Sequence, residues 1–265
     1  MACTNSILQR IDVYTARTTG GWQDIHMPSH NDRNMTGHSP LGAATMRKRL
    51  RDNSLSWVMF SLFGLCLLGH SLAGYAAYRD DQQAHRQPPI HYTAYVTSSH
   101  FWASVFENWE SEFLQMAAYV LATVFCFQRG SAESKDPDAY EEVDADPRQH
   151  QHEPQAPGPV RKGGLALTLY AHSLSTAFGV LFVVSLLGHA ASGTRQYNAE
   201  QHLHGQAPVS MRQYLGTARF WFESFQNWQS EFLAVGSVVV LSIWLRERGS
   251  PESKPVHRAH TETGR

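Results

Sequence analysis

Four apolar stretches alternate with strongly polar segments along the chain. The first, Asn53 to Tyr78, holds 26 residues without Asp, Glu, Lys or Arg, and the third is free of these residues from Gly163 to Thr194. A helix needs about 20 mainly apolar residues to cross the hydrocarbon core of a bilayer. The pattern therefore predicts a membrane-spanning helix in each of these two stretches.

The other two stretches are shorter. Their charge-free runs are 113–128 and 232–245. The second run would be about 21 Å long as a helix at 1.5 Å per residue, against a hydrocarbon core of about 30 Å. Either each helix begins earlier, near Trp109 and Trp228, and draws Glu112 and Glu231 toward the membrane, or the stretches are re-entrant or interfacial. We favour crossing, because each pair of stretches then closes as a hairpin and the two tryptophans fall in an aromatic belt.

A tandem repeat underlies this alternation. Residues 55–135 align with 174–254 without a gap at an offset of 119, and 31 of the 81 positions are identical. Because each copy carries two predicted crossings, both copies insert with the same orientation, related by an axis along the membrane normal. The predicted fold is an all-α membrane protein, with four transmembrane helices arranged as two tandem parallel two-helix repeats.

The distribution of basic residues predicts the orientation. Lys and Arg number four in 47–51, five in 129–162 and five in 246–265, whereas the loops 79–108 and 195–227 hold two and three. Cytoplasmic segments carry an excess of Lys and Arg. Both termini and the central linker are therefore predicted in the cytoplasm, and the two loops outside.

The outer loops carry regularly spaced aromatic residues after a proline, which suits amphipathic helices lying in the outer interface. Trp102, Trp109, Trp221 and Trp228 are the predicted interface anchors. The other aromatic residues of these loops are Tyr95, Phe101, Phe106, Tyr214, Phe220 and Phe225.

The remaining segments are polar and predicted to be flexible. Residues 136–147 hold six acidic residues and no basic one, a composition that cannot bury an apolar core. Met46 is followed at once by a basic run and the first apolar stretch, so we expect the translated chain to start there. The predicted organisation is a disordered extension (1–50), a first membrane repeat (51–135), an acidic cytoplasmic linker (136–164), a second repeat (165–254) and a disordered tail (255–265).

Histidine and glutamate recur at corresponding positions of the two copies. The candidate polar site in the outer leaflet consists of His70, Glu112, His189 and Glu231, with Asn108 and Asn227 one helical turn before each glutamate. An ionisable residue in a membrane span is a functional hypothesis by default, here a proton-coupled or metal site. The alternative is structural: the glutamates stabilise helix N-termini in the headgroup region, and the histidines are polar anchors.

Other chemistry is not indicated. No nucleophile, phosphate-loop or dinucleotide motif occurs, so the chain is not expected to be an enzyme, and no cofactor is predicted. The three cysteines form no CxxC pair, and a bound metal is not expected. The net charge of −1 offers no attraction for nucleic acid.

Several motifs carry a resemblance. The NSLS start of the first stretch, FENWESEFLQ, FQNWQSEFLA, RGSAESK and RGSPESK resemble a family of uncharacterised bacterial membrane proteins, classed as a domain of unknown function. The resemblance covers residues 46 to about 255. It implies a bacterial four-helix membrane protein and no assigned activity.

The expected role is therefore that of a multi-pass protein of the bacterial inner membrane, structural or regulatory. Its partners are the lipid bilayer and, for a pore built from so few helices, further copies of itself. The alternatives are an ion or proton pathway or small transporter that uses His70, Glu112, His189 and Glu231, and a membrane metal or redox protein.

Overall fold

The described part of the chain is entirely helical. The computed structural model describes residues 41–264, with side chains from Met46, and over that range it contains nine α-helices, two short 3₁₀ helices and no strand. The prediction of an all-α chain is confirmed for these residues. The helices are α1 (Leu41–Asp52), α2 (Ser54–Ala84), α3 (Tyr92–Val96), α4 (Ser99–Phe125), α5 (Gly158–Lys162), α6 (Gly164–Ala171), α7 (Ser173–Leu203), α8 (Met211–Tyr214) and α9 (Ala218–Leu241), with 3₁₀ helices at Glu142–Asp144 and Pro147–His150.

The chain divides into two units, Met1–Phe60 and Ser61–Arg265. In the first unit, residues 41–50 were assigned to the disordered extension but are helical. Leu, Ala, Met, Arg and Lys are strong helix formers, which explains the helix despite the polar composition. Residues 1–40 of the predicted disordered extension lie outside the described residues. The contacts below are all within the second unit.

Among the described helices, two are long and apolar enough to cross a membrane, α2 and α7. Helices α4 and α9 have 27 and 24 residues, about 40 and 36 Å at 1.5 Å per residue. Their length therefore suffices for a crossing, although their composition does not meet the same criterion.

Helices α4 and α9 begin earlier than the sequence pattern indicated. Ser98 caps α4 by accepting a hydrogen bond from Phe101 N, and Thr217, at the corresponding position, caps α9 by accepting one from Phe220 N. Hydroxyl side chains at this position satisfy free N–H groups of the first turn. The outer-loop helices are consequently short (α3 and α8), and Phe101, Trp102 and Phe106 belong to α4 itself.

Each repeat encloses its own aromatic core. Tyr95 and Phe101 form the buried centre of the first, and Tyr214 and Phe220, at corresponding positions, form that of the second. The tyrosine in each case packs on a glycine of the long helix: an added Cβ at Gly74 would collide with the Tyr95 hydroxyl, and one at Gly193 would lie 2.6 Å from Tyr214 Oη. Glycine is thus required at both positions for the tyrosine to enter.

The two repeats meet chiefly through α4 and α7, the most extensive helix–helix interface of the described residues. The Phe106 ring of α4 packs directly on Gly188 of α7, where an added Cβ would lie 2.7 Å from the ring. A second interface joins α4 to α9. Small residues let helix backbones approach closely, as is common in membrane bundles.

The RGSxESK motifs form compact loops at the opposite end of the helices. Ser134 and Ser253 accept hydrogen bonds from Gln128 N and Glu247 N, at 2.8 and 2.9 Å, so the two copies repeat one contact. The Nζ of Lys254, a side chain with 1% exposure, donates to backbone carbonyls of Ala259, His260 and Glu262 in the tail and of Gly130 in the first motif. In this structure the tail, predicted to be flexible, folds over the first motif; its mobility in solution stays a prediction.

The glycine–tyrosine packing predicts the effect of an added methyl group. Gly193→Ala places Cβ against the buried Tyr214 ring and should lower the free energy of unfolding by about 1–3 kcal/mol, as overpacking does. The matched control is Gly179→Ala, on the same helix with nothing within 4 Å, where alanine should be neutral or stabilising by up to about 1 kcal/mol. Denaturant titration of both variants in detergent measures the difference. Equal effects of the two substitutions would contradict this packing.

Candidate functional site

A buried polar cluster lies where α4, α7 and α9 meet. His189 of α7 and Glu110 of α4 have side-chain exposures of 1% and 0%, and His189 Nδ1 is 3.1 Å from Glu110 Oε2. The second oxygen of Glu110 accepts a hydrogen bond of 2.8 Å from the buried hydroxyl of Ser224 in α9. A buried carboxylate requires such partners, because an unpaired charge removed from water is very costly.

The other ring nitrogen of His189 faces a second carboxylate. His189 Nε2 is 3.6 Å from Glu223 Oε2, beyond hydrogen-bond length but within ion-pair range. The imidazole also stacks on Phe220, with ring centroids 4.9 Å apart. The ring is therefore fixed between carboxylates from two different helices, α4 and α9.

Glu223 continues the cluster toward the surface. It accepts hydrogen bonds from the Tyr214 hydroxyl at 3.0 Å and from Arg219 Nε at 2.9 Å. Arg219 also binds the carboxylate of Glu200 through two nitrogens. Burial, followed by the charge of Glu223, raises the pKa of the Tyr214 hydroxyl. The hydroxyl therefore stays protonated and acts as a donor.

A polar contact between Glu107 and Asn227 lies beside the cluster. Asn227 Nδ2 of α9 donates to Glu107 Oε1 of α4 at 2.7 Å. Together with the Ser224–Glu110 bond it joins the second helix of one repeat to the second helix of the other.

The first repeat contains a neutral version of the same arrangement. His70 Nε2 lies 3.1 Å from the hydroxyl of Ser104, the position that corresponds to Glu223. The His70 ring packs on Phe101 at 5.5 Å, as His189 packs on Phe220. Among the described residues, the half-buried His70 therefore has no acidic partner.

The structure does not bring the candidate residues together as a set of four. His189 is at the centre of the cluster, whereas Glu112 is exposed and Glu231 is half-buried, and neither contacts a histidine among the described residues. Asn227 takes part through Glu107, while the exposed Asn108 donates to Ser104 O within its own helix. That these residues carry a function stays a prediction.

The tryptophans predicted as interface anchors lie on α4 and α9. Trp102 and Trp221 are exposed, at 40% and 43%, and Trp109 and Trp228 are half-buried. Trp221 Nε1 donates to the carbonyl of Leu215 at 3.0 Å. Their position relative to a lipid headgroup layer stays a prediction.

The residues missed by the sequence pattern are Glu110, Glu223 and Ser224. The repeat alignment directed attention to glutamates present in both copies, but position 110 is glutamine in the second copy and position 223 is serine in the first. The available signal was helical spacing: Glu107 and Glu110 are three residues apart and share a face of α4. In the described residues, no group of three or more His, Cys, Asp or Glu side chains is arranged to hold a metal ion.

The cluster depends on Glu110, and this predicts a large effect for its removal. Glu110→Leu leaves His189 and Ser224 buried without their partner and should lower the free energy of unfolding by about 3–5 kcal/mol. The matched control is the double variant Glu112→Gln/Glu231→Gln, whose effect at two more accessible sites should stay within about 1 kcal/mol. Unfolding in detergent, followed by circular dichroism, compares them. A larger effect from the control would favour the site built on Glu112 and Glu231.

Comparison with known proteins identifies a family. The family model of a domain of unknown function, DUF6766, matches residues 46–265. No curated protein and no solved structure matches the chain.

Proposed function

Because the chain belongs to this family of unknown function, we propose a function from its own geometry: it is a multi-pass membrane protein that exchanges a proton between the outer face and the buried His189 cluster. The role is regulatory, with proton binding altering how α4, α7 and α9 pack. The protein resides in the bacterial inner membrane, with its termini and central linker in the cytoplasm.

The exposed apolar surfaces of α2 and α7 support a membrane location. Leu68, Leu72, Val183, Val184 and Leu187 are each about half exposed. A water-soluble monomer rarely leaves contiguous apolar surface of this kind uncovered, whereas lipid covers it without cost.

Four crossings follow if α4 and α9 also span. Both are longer than the roughly 30 Å core, and two of their polar side chains, Glu110 and Ser224, are fully buried against neighbouring helices. Polar residues in transmembrane bundles face the interior in this way. Glu112 and Glu231 then stand in the outer part of the span.

A chain of three titratable side chains carries the proton-exchange proposal. Glu223 is 24% exposed, His189 1% and Glu110 0%, so they connect the outer surface to an enclosed carboxylate. His189 Nε2 and Glu223 Oε2 are 3.6 Å apart, so a small rotation of the Glu223 side chain would bring them within hydrogen-bond distance. Imidazole between two carboxylates can accept a proton on one nitrogen and release one from the other.

Because charged groups from other helices surround His189, a change in its protonation state affects the packing of three helices. The imidazole is faced by Glu107 and Glu110 from α4, and by Glu223 from α9, while Arg219 and Glu200 stand behind Glu223. A neutral imidazole leaves these carboxylates in repulsion, and an imidazolium attracts them. Proton binding therefore draws α4 and α9 toward α7.

A second function is favoured by the neutral hydrogen bonds. Ser224 and Asn227 hold Glu110 and Glu107 without any change of charge. On that interpretation the cluster is a permanent structural link between the repeats, and His189 never changes its protonation state.

Cysteine accessibility tests the topology. In a chain without its own cysteines, single cysteines in 195–217 should react with a membrane-impermeant maleimide in intact cells. Cysteines in 136–157 should react only after permeabilisation, because four crossings place that linker inside. With only α2 and α7 crossing, the linker would lie outside and 195–217 inside, so labelling of the linker but not of that loop in intact cells would contradict the four-crossing arrangement.

Nuclear magnetic resonance of ¹⁵N-histidine in lipid nanodiscs tests proton exchange. The His189 signals, assigned by their loss in His189→Gln, should change protonation state within a titration from about pH 5 to about pH 10, because neighbouring carboxylates can move a histidine out of its ordinary range. Glu110→Gln should shift that titration, since it removes a contacting charge, whereas Glu112→Gln should leave it unchanged. A His189 signal that holds one protonation state across this range in every variant would favour the structural link.

A further inference from the structure

The interface between the two repeats involves residues whose equivalents in the other copy do not contact each other within the chain. Helix α4 packs on α7 through two contacts. The ring of Phe106 lies against Gly188, and the carboxylate of Glu110 pairs with the imidazole of His189. The corresponding residues of the other two long helices are Phe225 and Gln229 on α9, and Gly69 and His70 on α2.

These four residues lack the contacts that their counterparts make. An added Cβ at Gly69 would meet nothing within 4 Å, in contrast to Gly188. Phe225 is 56% exposed and Gln229 is exposed. The Nε2 of His70 is held by Ser104, but its Nδ1, the atom through which His189 binds Glu110, makes no hydrogen bond in the described structure.

We propose that α9 of one copy of this chain docks on α2 of a second copy, in the manner in which α4 docks on α7 within the chain. Phe225 enters the surface over Gly69, and the side-chain amide of Gln229 bonds Nδ1 of His70. The protein is thus a homo-oligomer held by a repetition of its own internal interface. This inference does not depend on proton exchange at His189.

The chemistry of the two interfaces differs in charge. The internal one pairs imidazole with carboxylates, and the intermolecular one pairs imidazole with an amide on one side and a hydroxyl, that of Ser104, on the other. Neutral hydrogen bonds between transmembrane helices contribute only modestly to helix association. The contact between copies is therefore expected to be weaker than the internal one.

The identity of the partner follows from shape rather than from exposed apolar area alone. Lipid covers any apolar helix face, but it has no rigid ring to fill the surface at a glycine flanked by Leu68 and Leu72. The chain itself presents that ring on Phe225, flanked by exposed Trp221 and Phe222. The two faces are different, so the contact is head-to-tail, and such contacts close into rings when their rotation allows.

Thiol cross-linking between two tagged chains tests the contact. In a background with Cys3, Cys66 and Cys126 changed to serine, one chain carries Gly69→Cys and the other Phe225→Cys, and a short bis-maleimide is added to membranes containing both. The expected product is a covalent pair holding both tags. Replacing Gly69→Cys by Gly64→Cys should abolish it, because five residues turn a helix by about 140° onto another face.

The other outcomes decide against the proposal. Chains that carry only one of the two cysteines should give no covalent pair, and efficient pairing of either alone would show a symmetric contact instead. If both cysteines in one chain link only within that chain, α9 closes on its own α2 and no second copy is needed. Absence of any product would likewise overturn the contact.

The mass of the protein assembly in lipid nanodiscs tests the contact between copies independently, without introduced cysteines. Gly69→Phe fills the docking surface and should convert the larger species to monomer, while Gly64→Phe, which also has open space around it, should not. An unchanged melting temperature of both variants shows that the helices still fold. A monomeric wild-type protein would contradict the proposal.

Discussion

A carboxylate enclosed by three helices constrains the whole arrangement. Glu110 has no access to solvent, so its two oxygens need donors from the protein, and the structure supplies them from His189 of α7 and Ser224 of α9. Because these donors belong to the second repeat and Glu110 to the first, satisfying one buried charge fixes the position of one half of the molecule against the other. The glycine at position 188 and the ring of Phe106 then set how closely the helices approach.

The duplication makes the placement of charge informative. Both copies keep the histidine, the aromatic ring beneath it and the tyrosine-on-glycine packing, which are the parts that build each hairpin. The copies differ at the positions that surround the imidazole: Ser104 against Glu223, and Glu110 against Gln229. One histidine therefore sits among charges and the other among neutral groups. Duplicate copies that keep a scaffold and diverge in its polar residues can divide two tasks, which we propose are charge pairing inside the chain and neutral docking between chains.

Much of the fold is predictable from the sequence, and the polar cluster is not. The long apolar runs locate α2 and α7, because composition alone decides whether about 20 residues suit a bilayer. The starts of α4 and α9 were placed too late, since the hydroxyl caps at Ser98 and Thr217 are local signals that hydropathy ignores. The partners of His189 depend on which helices are in contact. Alignment of the two copies directs attention instead to glutamates at equivalent positions, such as Glu112 and Glu231. The actual contacts cross between non-equivalent positions, which no periodicity within one copy reveals.

The buried pair can be tested most directly by a double-mutant cycle on Glu110 and His189 in lipid nanodiscs. Glu110→Leu removes the carboxylate that faces Nδ1 of His189, and His189→Leu leaves the enclosed Glu110 with the Ser224 hydroxyl as its remaining donor. The double variant replaces both members of the pair by apolar side chains. The account predicts that the double variant unfolds with a higher free energy than either single variant, with a coupling of about 2 kcal/mol or more. Additive effects, with no coupling between the two positions, would contradict the claim that this pair joins the two repeats.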